Sequence, residues 1–246
     1  MKTDVTVVLS GYRRPRYLNH QYQAVRSQTV QPVDIMYWQN TQPGVEYDLE
    51  TISQCQGAIS NTNFGVWSRF YYALNARTNW VCIFDDDTVP GNRWLENCLN
   101  TQQTHPGLLG TIGVLFPSSG LYQNVQRVGW DNPNEYTVQV DIVGHSWFFH
   151  RDMLATFCRE LPLLELIKNN AKTGEDIHFS YVLQKYTNYK TYVPPHPVND
   201  RSLWGSLLGW ELGGDQHATA GDGANMQAMN LYLQYVRSQG FKTVNQ

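Results

Sequence analysis

The sequence has few cysteines, and no two of them lie close together. Its 246 residues contain only Cys55, Cys82, Cys98 and Cys158, without a CxxC pair. Structural zinc sites and disulfide frameworks both use cysteines at closer, repeated spacings. The four cysteines therefore fit buried free thiols of a reducing compartment better than a zinc site or a disulfide framework.

Positive charge and long apolar runs are also scarce. The chain has 18 Lys and Arg against 21 Asp and Glu, a formal charge of −3, and no basic block. This balance gives no support to a nucleic-acid partner. The sequence has no 18-residue apolar run and no signal-peptide core. These absences predict a cytoplasmic protein without a membrane segment in this chain.

The first half of the chain alternates between apolar runs typical of buried parallel strands and helix-type segments. Strands and helices are predicted in turn at residues 5–9, 16–27, 33–38, 66–76, 80–84 and 92–103. This order predicts an open, mostly parallel α/β sheet. Ligands of such a sheet bind beyond the carboxyl ends of its strands.

The second half is mixed and contains a long irregular stretch. Strands are predicted at 108–115, 136–143 and 146–150, and helices at 151–157, 163–169, 175–186 and 225–238. Residues 193–224 are rich in proline and glycine, and an irregular stretch of this length in a compact domain is usually functional or mobile. With no internal repeat and no low-complexity linker, we interpret the chain as one domain with two halves.

Three adjacent aspartates, Asp85 to Asp87, directly follow the predicted strand at 80–84. Carboxylates about 4 Å apart repel by roughly 4 kcal/mol at an effective dielectric constant near 20, so a cation is expected there. Because side chains alternate along a strand, Asp85 and Asp87 point to one side and Asp86 to the other. Two carboxylates without a nearby cysteine favour Mg²⁺ or Mn²⁺, completed by phosphate oxygens and water. The alternative is a solvated polar loop.

A second acidic pair, Glu175 and Asp176, opens the predicted helix at 175–186. Acidic residues in the first turn of a helix interact favourably with its dipole, so ordinary capping accounts for the pair when it is taken alone. Together with the aspartate triplet it supplies a further acidic group, one that would act on a reacting substrate.

Polar side chains and a glycine lie near the ends of the other predicted strands and in one apolar helix. These residues are Ser10, Gly11, Arg13, Arg14, Asn40 and Arg69. Arginine binds phosphate through planar, paired hydrogen bonds, although a lone helical arginine is more often a surface residue. Their convergence on one edge of the sheet favours a nucleotide pocket.

Three histidines are further candidates. His196 and His217, in the irregular stretch, are candidate ligands of a metal or a diphosphate. His178, three residues after Glu175, either serves an acceptor site or caps the surface. A single histidine in a loop is more often inert.

The chain resembles GT-A fold glycosyltransferases, and more narrowly the exostosin-like family. The resemblance lies in SRFYYALNARTNWVCIFDDDTVP, where an Arg-Phe pair stands sixteen residues before the aspartate triplet, and in GEDIHFS. It implies a Rossmann-like fold over residues 1–246, with a nucleotide-sugar-binding half at 1–104 and an acceptor and catalytic half at 105–246. It also implies an enzyme that moves a sugar from a UDP-sugar to a glycan hydroxyl with Mn²⁺ or Mg²⁺, retaining the anomeric configuration.

Carried over to this sequence, the resemblance assigns metal binding to Asp87 and Asp85, and catalysis to Asp176 with Glu175. The residues that it assigns to the nucleotide-sugar are Ser10, Gly11, Arg13, Asn40, Asn63, Arg69, Asp85, Asp86 and His217. His217 stands near the place of a family arginine that touches the diphosphate.

Three other functions fit parts of the pattern. In an inverting transferase, Asp176 or Glu175 would deprotonate the acceptor hydroxyl. A sugar nucleotidyltransferase usually has a glycine-rich phosphate loop after its first strand, whereas LSGYRRPR contains one glycine. A lectin would hold Ca²⁺ at the triplet and stack glycans on the aromatic residues, which make up 13% of the chain.

Overall fold

The computed structural model describes residues 4–118, 121–130, 132–160, 173–207 and 223–245. Within them lies one mixed sheet of nine strands. The strands are β1 (Val5–Gly11), β2 (Asp34–Gln39), β3 (Gln56–Ile59), β4 (Trp80–Phe84), β5 (Gly107–Leu115), β6 (Gln126–Gly129), β7 (Val138–Val140), β8 (Ile142–His150) and β9 (Lys190–Val193). Their order is β3-β2-β1-β4-β8-β5-β9-β7, and β6 pairs with β5.

Helices pack on the sheet and follow its strands along the chain. They are α1 (Leu18–Arg26), α2 (Leu49–Ser53), α3 (Ser68–Tyr72), α4 (Trp94–Thr104), α5 (Met153–Phe157), α6 (Glu175–Tyr186) and α7 (Gly223–Ser238), with 3₁₀ turns at Pro15–Tyr17, Ala73–Asn75 and Arg201–Leu203. Among the described residues, none of these helices has the length and apolar content needed to cross a bilayer.

Strands β3-β2-β1-β4 are parallel to one another, and two of them, β1 and β4, are almost entirely buried. In β4, Val81 and Ile83 join one apolar cluster, whereas Cys82 and Phe84 join another on the opposite face. Strands buried on both faces are continuous apolar runs rather than alternating ones. This explains the VTVVL and VCIF runs and confirms the predicted open α/β sheet.

β8 lies between β4 and β5 and is antiparallel to both. Phe84, the last residue of β4, pairs with Ser146, the middle residue of β8. The middle of β8 therefore lies at the carboxyl edge of the parallel strands, and its first residues extend beyond the end of β4. The sheet takes strands from both 1–104 and 105–246, and the functional division between these halves stays a prediction.

One predicted strand, 136–143, is wrong as a continuous element. The structure ends β7 at Val140 and starts β8 at Ile142, and β8 also contains the predicted strand 146–150. The break occurs at Asp141, whose carboxylate accepts hydrogen bonds from the backbone N–H groups of Phe116 and Val244, both at 2.6 Å. A buried carboxylate needs such partners, and the chain turns out of the strand to supply them.

Most other predicted elements agree with the structure to within a few residues. The predicted helix at 66–76 divides into α3 and a 3₁₀ turn, while α2, β3, β6 and β9 were not predicted. The predicted helix at 163–169 lies outside the described residues. All four cysteines are free thiols: Cys82 and Cys98 are buried, and the other two are half-buried.

Candidate active site

The three aspartates after β4 are held in a fixed turn at the carboxyl edge of the sheet. The backbone N–H of Asp85 donates to the carbonyl of His145 at 3.0 Å. The buried side-chain amide of Gln21 donates to the carbonyls of Asp85 and Thr88, at 2.5 and 2.8 Å. These bonds fix the backbone from which the carboxylates project.

Asp85 and Asp87 share one side of this turn, as alternation along the chain predicts. One ligand atom from each of Asp85, Asp87 and His145 lies within 4.8 Å of the other two. The Nδ1 atom of His145 is 3.8 Å from the Oδ1 atom of Asp87. Two carboxylates and an imidazole form a donor set that fits a divalent cation, so the residues present are suited to a metal.

Asp86 is not a member of this group and pairs with Arg14. The Arg14 guanidinium is 2.5 Å from Asp86 and 3.4 Å from Asp87. Burial raises the pKa of Asp86, although Arg14 acts in the opposite direction. Arg13, the predicted nucleotide contact, is exposed, and its guanidinium lies over the ring of Tyr12 at 4.9 Å. Arg14, rather than Arg13, is thus the arginine whose side chain reaches the triplet.

Arg69 joins the two acidic motifs. Its guanidinium hydrogen-bonds to Asp85 on one side and to Glu175 on the other, the latter at 2.7 Å. The residue is only 6% exposed, and its guanidinium lies 4.4 Å from the ring centroid of Trp147. The aspartate triplet and the GED motif therefore form one cluster, as the sequence analysis hypothesised.

Glu175 and Asp176 begin α6 directly after Gly174, whose φ is +95°. Burial, reinforced by neighbouring carboxylates, raises the pKa of Glu175 to about 8 although Arg69 acts against it. Burial likewise raises the pKa of Asp176 to about 6. The Asp176 carboxylate accepts a hydrogen bond from the backbone N–H of Ile177 at 2.7 Å. Asp176 therefore helps to cap α6. The raised pKa values distinguish this pair from ordinary capping acids, which are exposed.

His145 is a candidate site residue that the sequence patterns did not predict. It has a left-handed backbone, with φ +64°, in a bulge where His145 and Ser146 face the single residue Thr111 of β5. Trp130 packs edge-on against its imidazole at 5.7 Å. The available signal was Gly144, because a glycine within an apolar strand pattern often marks a bulge.

Ser10 and Gly11, at the end of β1, make contacts within the protein. The Ser10 hydroxyl donates to the carbonyl of Phe84 at 2.8 Å. A Cβ atom on Gly11 would lie 2.1 Å from the hydroxyl oxygen of Tyr37. Both residues therefore help to pack the strand ends together, and their contact with a nucleotide stays a prediction.

Asn40 and Asn63 organise the loop that precedes α3. The buried Asn40 amide donates to the carbonyl of Gly65 at 2.9 Å and accepts from the N–H of Phe64 at 3.1 Å. The Asn63 side chain accepts from the N–H of Gly65 at 2.8 Å. Their predicted role in donor binding is not tested by these contacts, which place them at the same edge of the sheet.

His196 is a structural residue rather than the metal or diphosphate ligand considered from the sequence. Its Nδ1–H donates to the carbonyl of Pro194 at 2.8 Å, while Nε2 accepts from the Thr111 hydroxyl and the Gly205 N–H, at 3.0 and 3.2 Å. Burial lowers its pKa to about 4. Both ring nitrogens are occupied, so the imidazole is neutral and fixed.

His178 is buried and serves neither an acceptor site nor a surface cap. Its Nε2–H donates to the carbonyl of Phe157 at 2.9 Å, and its Nδ1 accepts from the Tyr232 hydroxyl at 2.7 Å. It thereby ties α6 to α7. His217, the proposed substitute for a family arginine, lies outside the described residues.

Solved structures with this fold include glycosyltransferases. The chain is similar to S. aureus TarS 1–349 in complex with UDP, with a TM-score of 0.57 and 13% identity, over 79% of this chain and 59% of that one. A further TarS structure has a TM-score of 0.53 and 14% identity. The match covers 79% of this chain but only 36% of the TarS chain. Mannosyltransferase PcManGT from Pyrobaculum calidifontis, in complex with GDP-Man and Mn²⁺, has a TM-score of 0.52 and 14% identity, over 97% of this chain and 87% of that one.

At such low identity this similarity concerns the fold alone, and it confirms the predicted fold class. No protein-family model matches the chain, and no curated protein matches it. The narrower resemblance to the exostosin-like family stays a prediction.

Proposed function

We propose that the protein is a metal-dependent glycosyltransferase that moves a sugar from a UDP-sugar to a glycan hydroxyl with retention of configuration. The observation that carries the proposal is the bridge made by Arg69. It joins Asp85, in the metal-capable group, to Glu175 beside Asp176, at the carboxyl edge of the parallel strands. The fold shared with structures that hold UDP, or GDP-Man and Mn²⁺, supports the same proposal.

The charge of the cluster favours a bound cation. Five carboxyl groups face two guanidinium groups there, which leaves 5 − 2 = 3 excess negative charges when all are ionised and 4 − 2 = 2 when Glu175 is protonated; the groups are Asp85, Asp86, Asp87, Glu175 and Asp176 against Arg14 and Arg69. We assign Mn²⁺ or Mg²⁺ to Asp87 and Asp85. When bound, the ion stabilises the negative charge that develops on the departing diphosphate.

The two acids of the GED motif take different roles because their contacts differ: Glu175 is held by the Arg69 guanidinium at 2.7 Å, whereas Asp176 accepts the backbone N–H of Ile177 at 2.7 Å. With a pKa of about 6, Asp176 is mostly a carboxylate at neutral pH, whereas Glu175, at about 8, is mostly protonated. A carboxylate stabilises the oxocarbenium-like carbon formed as the sugar–phosphate bond breaks. The electron pair of that bond leaves with UDP, the acceptor oxygen bonds to the anomeric carbon, and the acceptor proton passes to the leaving phosphate oxygen.

The test measures sugar transfer and donor hydrolysis by the wild-type protein and by Asp87→Asn. Each protein is assayed with Mn²⁺ and a panel of UDP-sugars, and GDP-mannose is included as a further donor. We expect turnover in wild type with a UDP-sugar, its loss in excess chelator, and its loss in Asp87→Asn together with UDP affinity. Asp152→Asn, at an exposed position, is the matched control and should keep full activity. Full activity of Asp87→Asn, or of wild type in chelator, would overturn the proposal, and NMR of the product decides between retention and inversion.

A further inference from the structure

We infer that His145 is the third protein ligand of the metal and that its imidazole makes the site prefer Mn²⁺ to Mg²⁺. The inference rests on the proposed metal dependence and adds to it a residue and a selectivity. The sequence resemblance assigns only aspartates to the ion, so this ligand comes from the structure alone.

The geometry places a nitrogen donor beside the two carboxylates. The ligand atoms of Asp85, Asp87 and His145 all lie within 4.8 Å of one another, close enough to converge on one ion. The His145 side chain is 36% exposed, so the imidazole can be reached by an ion from solvent. Asp85 also hydrogen-bonds to Arg69 through Oδ1, which leaves its second oxygen for a cation.

The backbone of β8 explains why the imidazole is directed there. A bulge beside an active site commonly redirects one side chain, and here it lies between the pairs Gly110–Trp147 and Ile112–Gly144. The carbonyl of His145 accepts the backbone N–H of Asp85 at 3.0 Å. This hydrogen bond fixes the position of His145 relative to Asp85, so a backbone contact between β8 and the end of β4 holds these two ligands together.

The chemistry of the donors sets the selectivity. Mg²⁺ prefers oxygen ligands in near-ideal octahedral geometry and keeps several of its waters. Imidazole nitrogen is a better ligand for transition metals, and affinity at mixed nitrogen and oxygen sites rises from Mn²⁺ along the first row. A site of two carboxylates and one imidazole therefore discriminates against Mg²⁺ more than a site of carboxylates alone.

The test measures Mn²⁺ and Mg²⁺ binding in the presence of UDP and uses pulsed EPR of the Mn²⁺ complex. In wild type we expect a ¹⁴N coupling from a directly bound imidazole. In His145→Asn the coupling should vanish and Mn²⁺ affinity should fall at least about tenfold, while Mg²⁺ affinity changes less than about threefold. Asparagine tolerates the left-handed backbone of this position, so the bulge is kept. His150→Ala, at the other end of the same strand, should leave both affinities and the coupling unchanged.

The outcomes separate this inference from the proposed function. Tight Mn²⁺ binding by wild type without a ¹⁴N coupling, or a coupling that persists in His145→Asn, would overturn the role of His145 and leave the proposed function standing. Equal losses of Mn²⁺ and Mg²⁺ affinity in His145→Asn would overturn the selectivity. Absence of metal binding in wild type would overturn both.

Discussion

Among single residues, Arg69 has the largest part in holding the site together. Its guanidinium contacts Asp85 and Glu175 and packs on Trp147, with 6% of the residue exposed. The planar fork of arginine can bridge two carboxyl groups, which a lysine ammonium cannot do in the same geometry. Without Arg69, the partly buried carboxylate of Asp85 would lose the guanidinium that neutralises it.

We predict that Arg69→Met lowers the free energy of unfolding by about 3 kcal/mol or more, because removing one partner of a buried ion pair leaves an uncompensated charge. Arg69→Lys should lie between wild type and Arg69→Met. Urea unfolding at pH 7 measures both variants. Arg93→Met is the control, since Arg93 pairs with Glu96 and Asp200 at the surface and its loss should have little effect. Arg69→Met no less stable than Arg93→Met would contradict the prediction.

The sequence identified some site residues and missed others for a physical reason. The two-residue period of an extended chain predicted the grouping of Asp85 with Asp87, but the structure brings them together in a turn, which the N–H of Thr88 closes onto the carbonyl of Asp85 at 3.1 Å. That the side chain of Arg14 reaches the triplet and that of Arg13 does not depends on the direction of one turn after β1, which local patterns do not specify. The predicted contact of Arg13 with a nucleotide stays a prediction. His145 reaches the aspartates only through the pairing of β8 with β4, and register between distant strands is not visible in one sequence.

Among the elements, α7 packs against the start of α6, the helix that carries the candidate catalytic acids. Gly174 precedes α6 with φ +95°, and a Cβ atom at this position would lie 3.3 Å from the ring of Tyr232 in α7. The Tyr232 hydroxyl also bonds to His178 in α6 at 2.7 Å. The C-terminal helix thus fixes both the entry and the first turn of the helix that carries Glu175 and Asp176.

We predict that Gly174→Ala lowers the free energy of unfolding by about 1–2 kcal/mol, the cost of a left-handed backbone for a residue with a Cβ atom. It should also reduce transfer activity, because the helix start carries the two candidate catalytic acids. Gly223→Ala is the matched control: Gly223 is the first residue of α7 and has open space around it. Alanine at position 223 should be neutral or should stabilise the protein by up to about 1 kcal/mol. Thermal and urea unfolding of Gly174→Ala and Gly223→Ala measure the difference. Equal stability of both variants would show that α7 does not constrain this turn.

The elements that the sequence did not predict are short and polar. β3 (QGAI) is mostly exposed, and β9 (KTYV) has only four residues. Such strands form because a neighbouring strand offers unpaired backbone groups, as β2 does for β3, and not because of their own apolar pattern. Long buried runs such as β4 were predictable because burial on both faces dictates their composition.

At the scale of the whole molecule, two sets of buried groups act on stability with opposite pH dependence. The pKa values of His178 and His196 are lowered to about 4 by burial, so between pH 4 and about 6.5 the unfolded chain binds more protons and the free energy of unfolding rises with pH. The pKa of Glu175 is raised to about 8, so the folded protein binds more protons from about pH 4.5 to 8. This second set makes the free energy of unfolding fall with pH.

Asp176, whose pKa is raised to about 6, is a fourth such group. Of these four groups, Glu175 is the one that still changes its protonation mainly above pH 6.5. We predict that the free energy of unfolding of the metal-free protein falls by roughly 2 kcal/mol from pH 6.5 to 8, and that Glu175→Gln removes this fall. Urea unfolding in chelator at several pH values measures it. Glu160→Gln, at an acid whose pKa is lowered, should keep the wild-type slope. An unchanged slope in Glu175→Gln would assign the effect to another group.

Because β8 lies beside β4 but comes much later in the chain, the candidate site is assembled in two stages during synthesis. Synthesis on the ribosome delivers Arg14, Arg69 and the aspartate triplet first, since all lie before residue 90. His145 and Glu175 follow only after 55 or more further residues, and domains fold as their chain emerges. The nascent first half therefore has a cluster of like charges that arginines only partly neutralise, and the groups that complete it arrive late. The chain becomes competent for its proposed chemistry only once β8 has been inserted between β4 and β5 and α6 has docked.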